Sequence, residues 1–120
     1  MRHYIVVLDK HAIPGEARVP VFEHVWAEYP STSQQECTDH LWRANIGVTH
    51  HVPINADTID GCVKLQLIVV MGENVGMVDA AACQARGIEI IHLPPDGADD
   101  QSRLDRLMDV VEAFIARVYG

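Results

Sequence analysis

Residues 67–94 read LIVVMGENVGMVDAAACQARGIEIIHLP. The apolar run from Leu65 to Met71 has no polar alternation after Gln66, which is the pattern of a strand buried on both faces. Gly72 to Gly76 predicts a turn. Val78 to Arg86 reads as an alanine-rich helix, and Gly87 is placed to end it in the left-handed conformation that glycine adopts without steric cost. Ile88 to His92 is a second strand, and Pro94 and Pro95 then open a loop. A buried strand, a helix and another buried strand within so few residues form a parallel crossover unit.

The same alternation continues on both sides. Tyr4 to Leu8 is another β-branched run without alternation, followed by a loop from Asp9 to Gly15. Val19, Phe22, Val25 and Trp26 fall at helical spacing, so a helix is expected over about residues 18–27, with Pro20 in its first turn. A weak edge strand is expected near Trp26 to Tyr29. Thr32 or Ser33 then caps a helix with Glu36 as the partner acid, and Cys37, Leu41 and Trp42 form its inner stripe. Ile46 to Thr49 is a strand ending in His50 and His51. Asn55 or Asp57 opens a short helical turn that ends by Gly61. Residues 99–119 form an amphipathic helix with Leu104, Leu107, Met108, Val111, Phe114, Ile115 and Val118 on one stripe. Asp99 and Asp100 suit its N-terminus. Five strands alternating with helices give an α/β fold: a flavodoxin-like, doubly wound, five-stranded parallel sheet of order 2-1-3-4-5. Residues 1–120 read as one domain.

Composition narrows the function. The 120 residues carry a formal net charge of -8, which disfavours nucleic acid and anionic membrane surfaces as partners. The three cysteines, Cys37, Cys62 and Cys83, are odd in number and widely spaced. They form no disulfide framework, and a reducing cytoplasm is the expected location. The longest aliphatic run is too short to span a bilayer, and no secretory leader is apparent.

In an open parallel sheet, ligands sit beyond the carboxyl ends of the strands. That edge collects Asp9, Lys10 and His11 after the first strand and His50 and His51 after the third. It also holds Gly72, Glu73 and Asn74 after the fourth and His92 at the end of the fifth. His50, His51, Gly72, Glu73, Asn74 and His92 are the expected ligand-binding residues. His50 and His51 are adjacent, and in an extended strand they would point to opposite faces, so no metal site is expected. A phosphoacceptor receiver would need an acid after the third strand and a lysine after the fifth; His50 and His92 stand there instead. An FMN site would need hydroxyls in the loop after the first strand, and DKHAIPGEAR has none. Cys37, Cys62, Cys83, Trp26 and Trp42 read as packing residues.

The stretch from Leu67 to Pro94 is similar to the D-isomer-specific 2-hydroxyacid dehydrogenase family. The resemblance rests on the glycine-rich loop after a strand, on Val78-Asp79, Ala81-Ala82, Arg86-Gly87 and Ile88 to Ile91, and on Pro94. HHVPINADTI at residues 50–59 and the opening VVLD extend it across nearly the whole chain. It implies the family's substrate-binding domain, with a small hydroxy or oxo acid as ligand. The family's dinucleotide-binding domain carries the G-x-G-x-x-G fingerprint and the catalytic Arg, Glu and His. None of these is found in residues 1–120, so no catalytic residue is assigned, and NAD is expected only if a separate chain brings it. The loop departs from the family pattern: Gly72 matches the first glycine, Asn74 stands at the second, and Gly76 stands where Asp or Asn is usual. Three functions are consistent with this reading. They are a non-catalytic small-carboxylate-binding domain, half of a split NAD-dependent dehydrogenase, and a structural remnant that dimerises through the helix at 99–119. The surplus apolar residues Val110 and Tyr119 on that helix point to a homodimer.

Overall fold

The computed structural model describes residues 2–120. Five strands form one parallel sheet: β1 (His3–Val7), β2 (His24–Glu28), β3 (Ile46–Thr49), β4 (Leu67–Val70) and β5 (Glu89–His92), in the order β2-β1-β3-β4-β5. Every neighbouring pair is parallel. The sheet order is the one expected from the sequence.

The helices are α1 (Gln34–Leu41), α2 (Ala56–Gly61), α3 (Ala80–Arg86) and α4 (Asp100–Tyr119). Local chemistry sets their ends. Ser33 accepts the Glu36 N–H while the Glu36 carboxylate accepts the Ser33 N–H, a reciprocal capping box at α1. Asn55, Asp79 and Asp99 each accept the N–H three residues on and so cap α2, α3 and α4. Gly87 closes α3 at φ 70°.

Each face of the sheet carries its own core. On one side α1, α2 and α3 pack over Val6, Leu8, Ile68 and Val70. On the other, Leu104, Leu107, Met108, Val111, Phe114 and Ile115 of α4 lie on Ile5, Val7, Ile46, Val48, Leu67 and Val69. Alternate residues of the inner strands thus serve opposite cores. That is why those strands read as unbroken apolar runs.

On α4 the roles of two valines are exchanged: Val118, expected on the inner stripe, is 46% exposed, and Val110, expected outside it, is partly buried against the α4 core. Two larger expectations fail. No helix forms over residues 18–27. Residues 13–23 are an irregular strap beside α4, and β2 begins at His24, earlier than the expected edge strand. Val25, Trp26 and Ala27 are taken into parallel register with Tyr4, Ile5 and Val6. Pro20 can donate no helical bond there, and Val19 and Val21 point into solvent at 76% and 90% exposure. The strap is held instead by Ile13, Ala17 and Phe22 against the α4 core and by the Arg18 guanidinium, 2.7 Å from the Asp109 carboxylate. The second failure is Trp42. It ends α1 half-exposed, with the Arg43 guanidinium over its ring at 5.4 Å, and so leaves the α1 stripe to Cys37 and Leu41. Among the described residues, no helix is long and apolar enough to cross a membrane.

Candidate functional site

The chain moves from β2 across β1 to β3, so the sheet's winding reverses between β1 and β3. The strands on either side of such a reversal splay their following loops apart and leave a crevice at their carboxyl ends. Asp9 follows β1 and His50-His51 follows β3, one on each side of that point.

Asp9 is fully buried. Its carboxylate accepts the His50 N–H at 2.9 and 3.1 Å and the His51 N–H at 2.7 Å, and it stands 3.0 Å from His51 Nδ1. A buried carboxylate is tolerated only when it is so partnered. The turn after β3 is thereby wound around the Asp9 side chain. Thr49 Oγ1 reinforces it, donating to the Val52 carbonyl and accepting the Val52 N–H, both at 2.9 Å. This winding removes the sequence argument against a shared histidine site. His50 and His51 are in a turn, not an extended strand, and Asp9, His50 and His51 offer ligand atoms that all lie within 4.8 Å of one another.

The loop after β4 closes the other wall. A Cβ on Gly72 would stand 2.0 Å from the His50 carbonyl oxygen, so only glycine fits against that turn. Gly72 is required for close approach; its φ is not positive. Asn74 likewise sits at φ -100°, not in the left-handed region that would make it a stand-in for glycine. Its side-chain oxygen accepts the Gly76 N–H at 3.0 Å and shapes the loop. Ile54 and Asp79 tie the two walls together, since the Asp79 N–H donates to the Ile54 carbonyl and the Ile54 N–H to Met77.

His50, His51, Gly72, Glu73 and Asn74 line one cleft of about 430 Å³ with Pro53, Met77 and Pro95. Five of the six residues singled out in the sequence are thus brought together. The sixth, His92, is outside the lining: its Nε2 lies 2.7 Å from the Gly72 carbonyl, behind the loop. Lys10 turns away, donating to the Ile13 and Gly15 carbonyls at 2.8 and 2.7 Å. The His11 ring stands 5.7 Å from the His51 ring and its Nδ1 contacts the Pro30 carbonyl.

The electrostatics are mixed. Burial pushes His50 below the ordinary histidine value, with Asp9 acting against the shift and Arg103 adding to it. The His50 Nδ1 is buried without a hydrogen-bond partner. Arg103, from the first turn of α4, donates to the Met71 carbonyl beneath the loop. That contact leaves no mark in the sequence, because helical spacing says nothing about which loop a charged residue reaches. Asp9 was visible at a strand end, but its role as the centre of the turn depends on β1 and β3 being neighbours. The three cysteines are buried and free, and burial raises Cys37 and Cys62 to about 11. They take no part in the cleft.

No protein-family model matches the chain. Glycerate dehydrogenase of Methylorubrum extorquens is 33% identical over 94 residues, covering 78% of this chain and 30% of that protein. A putative 2-hydroxyacid dehydrogenase of Haemophilus influenzae is 34% identical over 88 residues, covering 72% and 28%. Among solved structures, the pyruvate reductase of Chlamydomonas reinhardtii superposes with a TM-score of 0.58 at 16% identity, over 78% of this chain and 30% of that one. An acyclic imino acid reductase in complex with NADPH and D-Arg gives 0.59 at 13% identity, over 76% and 31%. The structural likenesses establish the fold. The chain spans about 30% of the length of the curated relatives it matches.

Proposed function

We propose, because this chain is a relative of the D-2-hydroxyacid dehydrogenases over about 30% of their length, that it binds a small hydroxy or oxo acid and does so without turning it over. The observation that carries this reading is the cleft between the loops that follow β3 and β4, at the carboxyl edge of the sheet. It is lined by His50, His51, Gly72, Glu73 and Asn74, and His92 braces the Gly72 carbonyl from behind. Exposed N–H groups of a tight loop suit a carboxylate, and histidines offer donors to a hydroxyl or carbonyl oxygen. Glu73 disfavours a second negative charge on the ligand, which points to a monocarboxylate. Turnover would need an Arg, a Glu, a His and a cofactor supplied from outside residues 1–120, and their supply by a second chain is the alternative of a split dehydrogenase. In either case the cytoplasm suits three buried free thiols. A homodimer along the helix at 99–119 would use what the fold leaves outside, chiefly Val118 and Tyr119, 46% and 40% exposed.

The test is a thermal-shift series in EDTA with pyruvate, glyoxylate, lactate, glycerate, NAD(H) and NADP(H). A ligand at a hundred times its Kd adds about 2.7 kcal/mol to the native state and raises the midpoint accordingly. A rise with a monocarboxylate that is lost in Asn74→Ala supports the binding domain. No rise with any acid, or a rise that Asn74→Ala leaves intact, removes it. A rise with NAD(H) would instead place a nucleotide site on this chain.

A further inference from the structure

The carboxylate reading leaves Asp9, buried behind the cleft, without a part. There Asp9, His50 and His51 converge from two strands. Their ligand atoms lie within 4.8 Å of one another, and the Asp9 carboxylate and His51 Nδ1 are already 3.0 Å apart. From this convergence we propose that Asp9, His50 and His51 bind a divalent first-row transition metal of the Zn²⁺ class.

The donor set is the first reason. Two imidazoles and one carboxylate suit zinc and its first-row neighbours, and such three-ligand sites leave a position open for water or an exogenous ligand. Tetrahedral ligands bound at about 2.1 Å stand roughly 3.4 Å apart. The Asp9–His51 pair is already within that distance, and the other separations are no more than 4.8 Å.

The second reason is how the carboxylate is held. Three short contacts from the His50 and His51 N–H groups fix Asp9. Hydrogen bonds of that kind orient a ligating carboxylate from the outer shell. They come from the same two residues that supply the imidazoles, so one turn sets both the ligands and their support.

The third reason is an unexplained atom. His50 Nδ1 is buried with no hydrogen-bond partner, although buried polar atoms are almost always satisfied. A metal ion would satisfy a buried imidazole nitrogen that has no hydrogen-bond partner. His51, by contrast, keeps 56% of its side chain exposed and borders the cleft. The ion would therefore be reached from the cleft and would face whatever occupies it.

The proposal shares His50 and His51 with the acid reading, so its test omits acids and the two can fail separately. Untagged protein, stripped with chelator and dialysed, is titrated with Co²⁺ and Zn²⁺ by calorimetry, with the visible Co²⁺ spectrum followed in parallel. One equivalent per chain is expected, with a Co²⁺ spectrum altered by nitrogen ligation and displaced by Zn²⁺. His51→Ala and His50→Gln should each weaken binding by more than about tenfold, the least that loss of even an outer-shell partner costs. His24→Ala, a histidine on the far edge strand, should leave it unchanged. Circular dichroism in EDTA shows whether each variant is folded. Asp9→Asn is informative only if it passes that check, and the two histidine variants decide the matter if it does not. Absence of saturable binding overturns the proposal, as does stoichiometric binding that His51→Ala leaves intact in a folded protein.

Discussion

Gly72 shows how much one missing methyl group decides. Its Cα faces the His50 carbonyl so closely that a Cβ would sit 2.0 Å from the oxygen. Backbone is on both sides of the contact, so neither wall can yield without moving a strand end. Gly72→Ala is expected to cost about 3 kcal/mol, the upper end of ordinary overpacking, and to open the cleft; urea denaturation reads the first and ligand shifts the second. His3 makes a different point at the same scale. It is buried between the rings of Phe22 and Tyr119, at 5.4 and 4.6 Å, and its Nδ1 has no partner. Burial lowers its value below 6.5 in the folded protein. Between the folded value and 6.5 the unfolded chain therefore binds more protons, and stability rises with pH. The contribution is complete above about 6.5 and is lost as pH falls through that value, until the folded form also protonates. Urea midpoints between pH 7.5 and 5.5 should fall, and His3→Phe should reduce the slope, with His50, also lowered by burial, contributing the rest. An unchanged slope in that variant would assign the dependence elsewhere.

Among the elements, α1 is the clearest case of a helix set by its ends. It has eight residues and only Cys37 and Leu41 buried, so the Ser33–Glu36 capping box matters more than packing does. Ser33→Ala should cost about 1 kcal/mol, measurable as a lower midpoint with an unchanged denaturant slope. This cap was legible as Thr32 or Ser33 because its partners lie within one turn of each other; Asn55 was one of two candidates, and Asp99 and Gly87 were read directly. The segment between β1 and β2 was not legible. Val19, Phe22, Val25 and Trp26 have helical spacing, yet the chain there is a strap and then a strand. Periodicity is a weak local preference over so few residues, and it lost to the pairing of β2 with β1 and to Pro20. Trp42 was misread for a related reason: the stripe of a two-turn helix is too short to say whether its last member reaches the core.

For the whole molecule, α4 is the element on which one of the two cores depends. Leu107 is fully buried there, against strands whose other faces serve α1, α2 and α3. Leu107→Ala should cost roughly 2–5 kcal/mol. Because the sheet is shared, the loss should appear in a single transition by both near- and far-UV circular dichroism; two separate transitions would show that the cores unfold independently. The amino-acid sequence by itself determined the fold class, the sheet order and most helix ends, because buried parallel strands and capped helices leave their marks in consecutive residues. It also placed His50, His51, Gly72, Glu73 and Asn74 at one edge of the sheet. Only the tertiary structure decided that Asp9 stands inside the turn of His50 and His51, that Gly72 abuts the His50 carbonyl, that His92 lies behind the loop, and that Arg103 reaches the Met71 carbonyl beneath it. Those contacts join residues far apart in the chain, and no local preference encodes a distance that exists only once β1, β3 and β4 lie side by side.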